Sequence, residues 1–307
     1  MADSTTGSDS GKDHREPGVR PKVGIALGAG GAKGIAHIPM LEALDELEVI
    51  PHRIAGTSIG AVIGALYASG MSALEIREMA ARLAITKHDN VRGILSNKKI
   101  GKWMAMIDPQ FGHGGLLNSD AIMTGLSEEG SFTTFEELAI PLTLVATDFQ
   151  KGRAVLLDSG PLKPAVQASM ALPGVFNPIE LDGRVLVDGA TVNPVPFNVL
   201  FDSCDLVIAI DIGSDSYAES DAVPGYFDTI FGSIQIMQAA IVEQEISTRP
   251  PDIYIKPEVH DVRILEFNRA DEVYHQAQPA KEKLKRRLGE KLAAWNTQPG
   301  RDGRGQG

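Results

Sequence analysis

Two rhythms of apolar and polar positions run along this chain. Residues 22–27 (KVGIAL) form a short apolar run that ends in glycines, the pattern of a buried strand. Residues 35–47 place apolar side chains at helical spacing and set Glu42, Asp45 and Glu46 on the opposite side, which predicts an amphipathic helix. A second strand is expected over 49–55, followed by Gly56 and an alanine-rich helix to about residue 69. Ser72 and Glu75 have the spacing of a capping box that opens the next helix, and Thr134 and Glu137 have the same spacing. Strands are predicted over 141–147, 154–157, 185–187, 206–212 and 252–256, and helices over 163–170, 228–245 and 270–294. Residues 86–117 mix both kinds of position without a clear period.

Apolar strand runs that alternate with helices, and carry no internal repeat, imply a single α/β domain. Its central sheet is mostly parallel and is covered by helices on both faces. Residues 1–21 and 296–307 lack apolar patterning and read as disordered tails around a folded unit at 22–295. The first of these holds no apolar core of the kind a signal peptide needs. Residues 54–74 are uncharged and contain Gly60 and Gly64 at G-x-x-x-G spacing. That stretch is too rich in Gly, Ser and Thr to read as a membrane span, and it fits a helix pressed closely against a sheet.

Composition narrows the function classes. The chain has 307 residues, 43% hydrophobic and 22% charged, which is ordinary for a globular protein and excludes a largely disordered, collagen-like or disulfide-stapled chain. Its single cysteine, Cys204, cannot close an intrachain disulfide; one thiol suits a reducing compartment, the cytoplasm being the expectation, or is simply uninformative about it. The net charge of −11 argues against nucleic acid as a partner. Charge is uneven, however. Residues 281–291 (KEKLKRRLGEK) are basic enough to touch an anionic membrane surface at the periphery, or simply form a solvated helix face.

Three short segments carry candidate chemistry. Gly28-Ala29-Gly30-Gly31-Ala32-Lys33-Gly34 joins a predicted strand to a predicted helix, where glycines let backbone amides point into an anion-binding hollow. A P-loop needs Gly-Lys-Ser/Thr, whereas here Lys33 precedes Gly34 and Ile35 follows. A dinucleotide fold needs G-x-G-x-x-G and an acid after the second strand, and neither is present. An oxyanion hole or a plain structural turn remains open. Gly56-Thr57-Ser58-Ile59-Gly60 is G-x-S-x-G between a strand and a helix, the context of a nucleophile elbow. A base for Ser58 is sought first among the histidines. The order Ser, acid, His would nominate His260 or His275. Against that, a nucleophile at position 58 leaves room for too few preceding strands, and the lipase-like stretch around His113 lies downstream instead of upstream. The other kind of base is a carboxylate. Asp188, in Asp188-Gly189-Ala190, follows a predicted strand directly; Asp148 and Asp211 also end strands but lack a glycine at their shoulder.

In this order the three segments resemble the patatin-like phospholipase family, and residues 27–41 (LGAGGAKGIAHIPML) look like its bacterial, neuropathy-target-esterase-like branch. Residues 167–178 (QASMALPGVFNP) and 186–196 (LVDGATVNPVP) look like later blocks of the same family. The resemblance implies a single patatin-like domain and a serine hydrolase of lipid-like carboxylic esters, such as phospholipids or lysophospholipids, that needs neither metal nor cofactor. By position, Ser58 would be the nucleophile and Asp188 the base. The amides of Gly30, Gly31 and Ala32 would form the oxyanion hole, Lys33 and Gly34 would shape that loop, and Gly56 and Gly60 would shape the elbow. Ala29 stands where close relatives often carry glycine. The rival reading is a noncatalytic α/β module whose glycine loop binds a phosphate or nucleotide.

Overall fold

A computed structural model describes residues 20–83, 134–213 and 225–297. The segment 86–117, with His88 and His113, and nearly all of both predicted tails therefore lie outside the described residues.

One sheet organises the chain. Strands β1 (Val23–Leu27), β2 (Arg53–Thr57), β3 (Leu142–Asp148), β7 (Leu206–Ile210) and β8 (Ile253–Ile255) are parallel, in the spatial order β3-β2-β1-β7-β8. Three antiparallel strands extend it: β4 (Arg153–Leu157) and β6 (Arg184–Asp188) pair with β3, and β5 (Ile179–Leu181) pairs with β6. β1 and β7 are buried along their whole length, which is why both read as continuous apolar runs with no alternation.

Helices cover both faces unequally. Val23, Ile25 and Leu27 of β1 join the larger core with α1 (His37–Glu46), α2 (Ile59–Ala68), α3 (Ala73–Leu83), α4 (Leu162–Ser169), α6 (Ala270–Gln276) and α7 (Gln278–Thr297). Ala26 and Ala55 face a smaller core of Phe197, Leu200 and Val242, the last on α5 (Tyr226–Thr248).

The ladder on β3 decides where the chemistry can sit. β4 pairs with residues 144–148 of β3, overlapping the rungs used by β2 (142–145) and those used by β6 (146–148). β2 and β6 must therefore share the other edge of β3 and meet end to end. Thr57 pairs with Val145, and Asp188 pairs with the next residue, Ala146. The carboxyl ends of two strands distant in sequence are thereby brought onto neighbouring rungs.

Several predicted boundaries shift for physical reasons. The second strand is Arg53–Thr57 and not 49–55, because Glu48 turns with a positive φ and Pro51 lacks an amide for the ladder. The predicted helix at 35–47 opens with a 3-10 segment over Gly31–Ala36 before α1 begins. The Ser72/Glu75 capping box forms, with the Ser72 amide donating to Glu75 Oε2 at 2.8 Å and the Glu75 amide to Ser72 Oγ at 3.3 Å. The one at Thr134 and Glu137 does not: only a 3-10 turn follows, and Glu136 instead accepts the Gly160 amide. The expected helix over 270–294 is two helices, broken at Ala277 just before Pro279, and the second continues to Thr297. Within it Lys281 pairs with Glu42 at 2.8 Å and with Glu46, and Lys285 pairs with Glu46 at 2.7 Å. Two cations of the basic stretch thus fasten α7 to α1. No helix among the described residues is long and apolar enough to cross a membrane.

Candidate active site

Ser58 sits between β2 and α2 with φ 58° and ψ −123°, a left-handed conformation that a non-glycine residue adopts only when its surroundings enforce it. Packing enforces it here. A Cβ on Gly60 would lie 2.0 Å from the Leu27 carbonyl oxygen, and one on Gly56 would lie 2.7 Å from the Gly60 carbonyl oxygen. The first turn of α2 is therefore pressed onto the end of β1, and only glycine fits at either position.

The Ser58 hydroxyl donates to Asp188 Oδ2 at 2.6 Å. Asp188 is the last residue of β6, and its other oxygen accepts the Ala190 amide at 2.8 Å. Its backbone is held on both sides: its amide donates to Ala171 O at 2.9 Å, and its carbonyl accepts the Thr147 hydroxyl at 2.9 Å. Gly189 lets the chain turn against β3, since a Cβ there would meet the Val145 carbonyl oxygen at 2.2 Å. The Asp188 side chain is almost wholly buried. Desolvation pushes its pKa up to about 6, while the hydrogen bonds from Ser58 and Ala190 pull in the other direction.

The two rival carboxylates have structural employment. Asp148 Oδ1 accepts the amides of Gln150 and Lys151 and so caps the turn from β3 to β4. Asp211 accepts the Gly213 amide and the Tyr254 hydroxyl and pairs with Lys256 at 3.5 Å. His260 and His275 are exposed.

The glycine loop runs beside this pair and is latched at three amides. Gly28 donates to Ile210 O on β7, Ala29 to Pro194 O in the segment after Asp188, and Ala32 to Ile264 O. The Ala32 amide, expected among the oxyanion donors, is thus committed at 2.8 Å to a backbone carbonyl. The amides of Gly30 and Gly31 have no acceptor among the described residues. Gly31 has φ +57°, and a Cβ on it would lie 2.2 Å from Ile264 O. A Cβ on Gly34 would meet the Ile59 side chain, so loop and elbow pack directly on one another. Lys33 is buried within this turn.

Two buried residues that sequence reasoning left without a role attach to the site. His37, at the start of α1, makes a 2.8 Å hydrogen bond from Nε2 to Gly28 O, and burial lowers its pKa to about 4. It is therefore a neutral ring whose Nε2–H holds the loop from below. Ser169, at the end of α4, accepts the Ser58 amide at 3.1 Å and donates its own proton to Val145 O at 2.7 Å. Both lie inside the stretches quoted above as family-like, but nothing local in either stretch signals these contacts. Beneath the elbow, the Thr57 hydroxyl donates to Asn193 O, and the Asn193 amide group donates to Asn198.

Comparison with known proteins falls on the same segments. The model of the patatin-like phospholipase family matches residues 25–201. An uncharacterized NTE family protein of Mycobacterium tuberculosis is 36% identical over 207 residues, which cover 66% of this chain and 53% of that protein. The lysophospholipase nte1 of Neurospora crassa is 26% identical over 275 residues, covering 82% of this chain and 17% of its own length. Among solved structures, human GIVD cytosolic phospholipase A2 aligns with a TM-score of 0.43 at 12% identity, over 89% of this chain and 60% of that one. The chain spans about half the length of the mycobacterial relative. The family match takes in the glycine loop, the elbow and Asp188, and it covers more than half of the sequence. On that ground the chain belongs to the patatin-like phospholipase family, within its NTE-like branch.

Proposed function

We propose that this protein is a carboxylic ester hydrolase of lipid-like substrates, phospholipid or lysophospholipid acyl esters, working through a Ser58–Asp188 dyad. The observation that carries the reading is the 2.6 Å hydrogen bond from a strained, half-buried serine hydroxyl to a buried carboxylate. Relatives named as lysophospholipases support the substrate class.

Asp188 takes the hydroxyl proton as Ser58 Oγ attacks the ester carbonyl carbon. The carbonyl oxygen gathers negative charge and meets the amides of Gly30 and Gly31. A donor placed at such an oxyanion contributes about 3–4 kcal/mol of transition-state stabilisation. Collapse of the intermediate expels the alcohol, which takes its proton from Asp188 and leaves Ser58 acylated. Water then attacks the acyl carbon and gives a proton to Asp188; collapse releases the acid and expels Ser58 Oγ, which takes that proton back from Asp188. A carboxylate of ordinary basicity would be a weak base for this step. Burial of Asp188 brings its pKa nearer the working pH, where general-base catalysis is worth about 10²–10⁴-fold.

The phosphate-binding alternative has less support. A cradle for a nucleotide's phosphates needs several converging amides. The amides of Gly28, Ala29, Ala32 and Lys33 are already spent on Ile210, Pro194, Ile264 and Gly30. Those of Gly30 and Gly31 suit a single oxygen. Hydrolysis of p-nitrophenyl esters of increasing acyl length by wild type, Ser58→Ala and Asp188→Asn tests the proposal. Turnover is expected from wild type alone, and undiminished turnover by Ser58→Ala would refute it.

A further inference from the structure

We propose that Ser169 is the positioning residue of the dyad: its one hydroxyl fixes the elbow amide of Ser58 to strand β3 and so sets the reach of Ser58 Oγ to Asp188. The inference rests on the dyad reading above and extends it to a residue that touches neither substrate nor the reacting atoms.

The need for such a residue follows from the ladder. β2 and β6 approach each other along one edge of β3, and the handover from Thr57 to Asp188 falls between Val145 and Ala146. At that point β2 turns away into α2 and β6 turns into the 3-10 segment Gly189–Thr191, so regular pairing stops. Ser169 Oγ occupies the junction. It accepts the Ser58 N–H at 3.1 Å and donates to the Val145 carbonyl at 2.7 Å, and the residue is fully buried. A hydroxyl can donate and accept at once from a single atom, which an alanine, a carboxylate or an ammonium cannot do.

The same short segment also holds the base. Two residues on, the Ala171 carbonyl accepts the Asp188 amide at 2.9 Å. Nucleophile and base are therefore both referred to residues 169–171, the first by a side chain and the second by the main chain. Ser58, with φ 58°, adopts a strained conformation that persists only where surrounding contacts over-determine it. The Ser169 bond is one of those contacts, and it acts on the backbone of the nucleophile itself.

The test is steady-state ester hydrolysis across pH by Ser169→Ala, Ser169→Cys and Ser169→Thr, with Ser58→Ala alongside and thermal melting of each. In Ser169→Ala and Ser169→Cys, kcat is expected to fall about 10²-fold with KM little changed, the scale of misplacing a reacting group by an ångström. The acidic limb of the kcat/KM profile should also move to higher pH, because the Ser58 hydrogen bond is one of the contacts that hold the Asp188 pKa down. A merely structural residue would not move that limb. Ser169→Thr, which keeps the hydroxyl, should restore the limb and most of kcat. Wild-type kcat and an unshifted limb in Ser169→Cys would overturn the proposal. So would equal losses in all three variants that track their melting temperatures. Should Ser58→Ala turn over esters as wild type does, the dyad reading itself falls and the positioning role falls with it. Should Ser58→Ala be inert while Ser169→Ala is fully active, the positioning role alone is lost.

Discussion

The Ser58 hydroxyl and the Asp188 carboxylate lie 130 residues apart in sequence and 2.6 Å apart in space, where Thr57, just before Ser58, and Asp188 take neighbouring rungs of one edge of β3. The sheet brings them together by ending β2 and β6 against each other. Every step of the proposed chemistry depends on that meeting, and the following consequences can be measured.

The first concerns pH. With the Asp188 pKa near 6, kcat/KM should fall about tenfold for each pH unit below that value. His37, the one histidine among the described residues that bonds to the glycine loop, has its pKa lowered to about 4 and so stays neutral through the upper part of that limb. A pH–rate profile from about pH 5 to 9, above the His37 titration, should therefore show one acidic limb from the base, and its removal in Asp188→Asn, with the residual rate flat, completes the assignment.

Stability should move the other way from activity. A carboxyl whose folded pKa is raised is favoured as the neutral acid, so its contribution is full below the unfolded value near 3.8 and is lost as pH rises through about 6. Ionised Asp188 thus costs wild type up to about 3 kcal/mol at neutral pH, taking roughly two pKa units at 1.4 kcal/mol each. Asp188→Asn removes the charge and leaves the shape. Its melting temperature should exceed that of wild type at pH 8, and the advantage should shrink toward pH 4. Denaturation of both proteins across that range measures it.

Two glycines separate close packing of backbone from close packing of side chain. Gly60→Ala drives a methyl into the Leu27 carbonyl, which cannot retreat without moving β1, and should destabilise by about 3 kcal/mol or more. Gly34→Ala meets the branched base of the Ile59 side chain instead, Cγ1 at 2.2 Å and Cβ at 2.9 Å, which yields only if the start of α2 shifts, so the cost should be about 1–3 kcal/mol. Chemical denaturation of the two variants checks the order.

His37 offers a loss-of-support experiment. His37→Gln can still present an N–H to the Gly28 carbonyl, whereas His37→Leu cannot and leaves that buried acceptor without its donor. The second should cost about 1–3 kcal/mol of stability and lower kcat more than it raises KM, with the first closer to wild type. Melting and steady-state kinetics on both variants decide it.

The parts of this molecule that were readable in sequence are those whose cause is local. β1 and the glycine loop, the G-x-S-x-G turn and Asp188-Gly189 each announce themselves within a few residues, because a buried parallel strand, a tight turn and a strand end leave contiguous marks. The start of β2 was misjudged because apolar Val49 and Ile50 resemble a strand while Pro51 and the positive φ of Glu48 exclude one. The break at Ala277 hid inside a continuous amphipathic pattern. Ser169 and His37 carry no local signal at all. One is a serine at a helix end and the other a histidine in an apolar stretch, and only the long-range pairing of β3 with β2 and β6, or the packing of α1 under the loop, gives either a partner. The Ala32 amide was assigned by position in the loop, and its bond to Ile264 comes from a segment more than two hundred residues away.

The central claim is that Asp188 activates Ser58, and its most direct measure is covalent labelling by a fluorophosphonate ester, with the modified residue located by mass spectrometry. The account predicts label on Ser58 alone, at a rate that rises through about pH 6 in wild type and is strongly reduced in Asp188→Asn. Label on another residue, or Ser58 labelled equally fast with Asn at position 188, would contradict it.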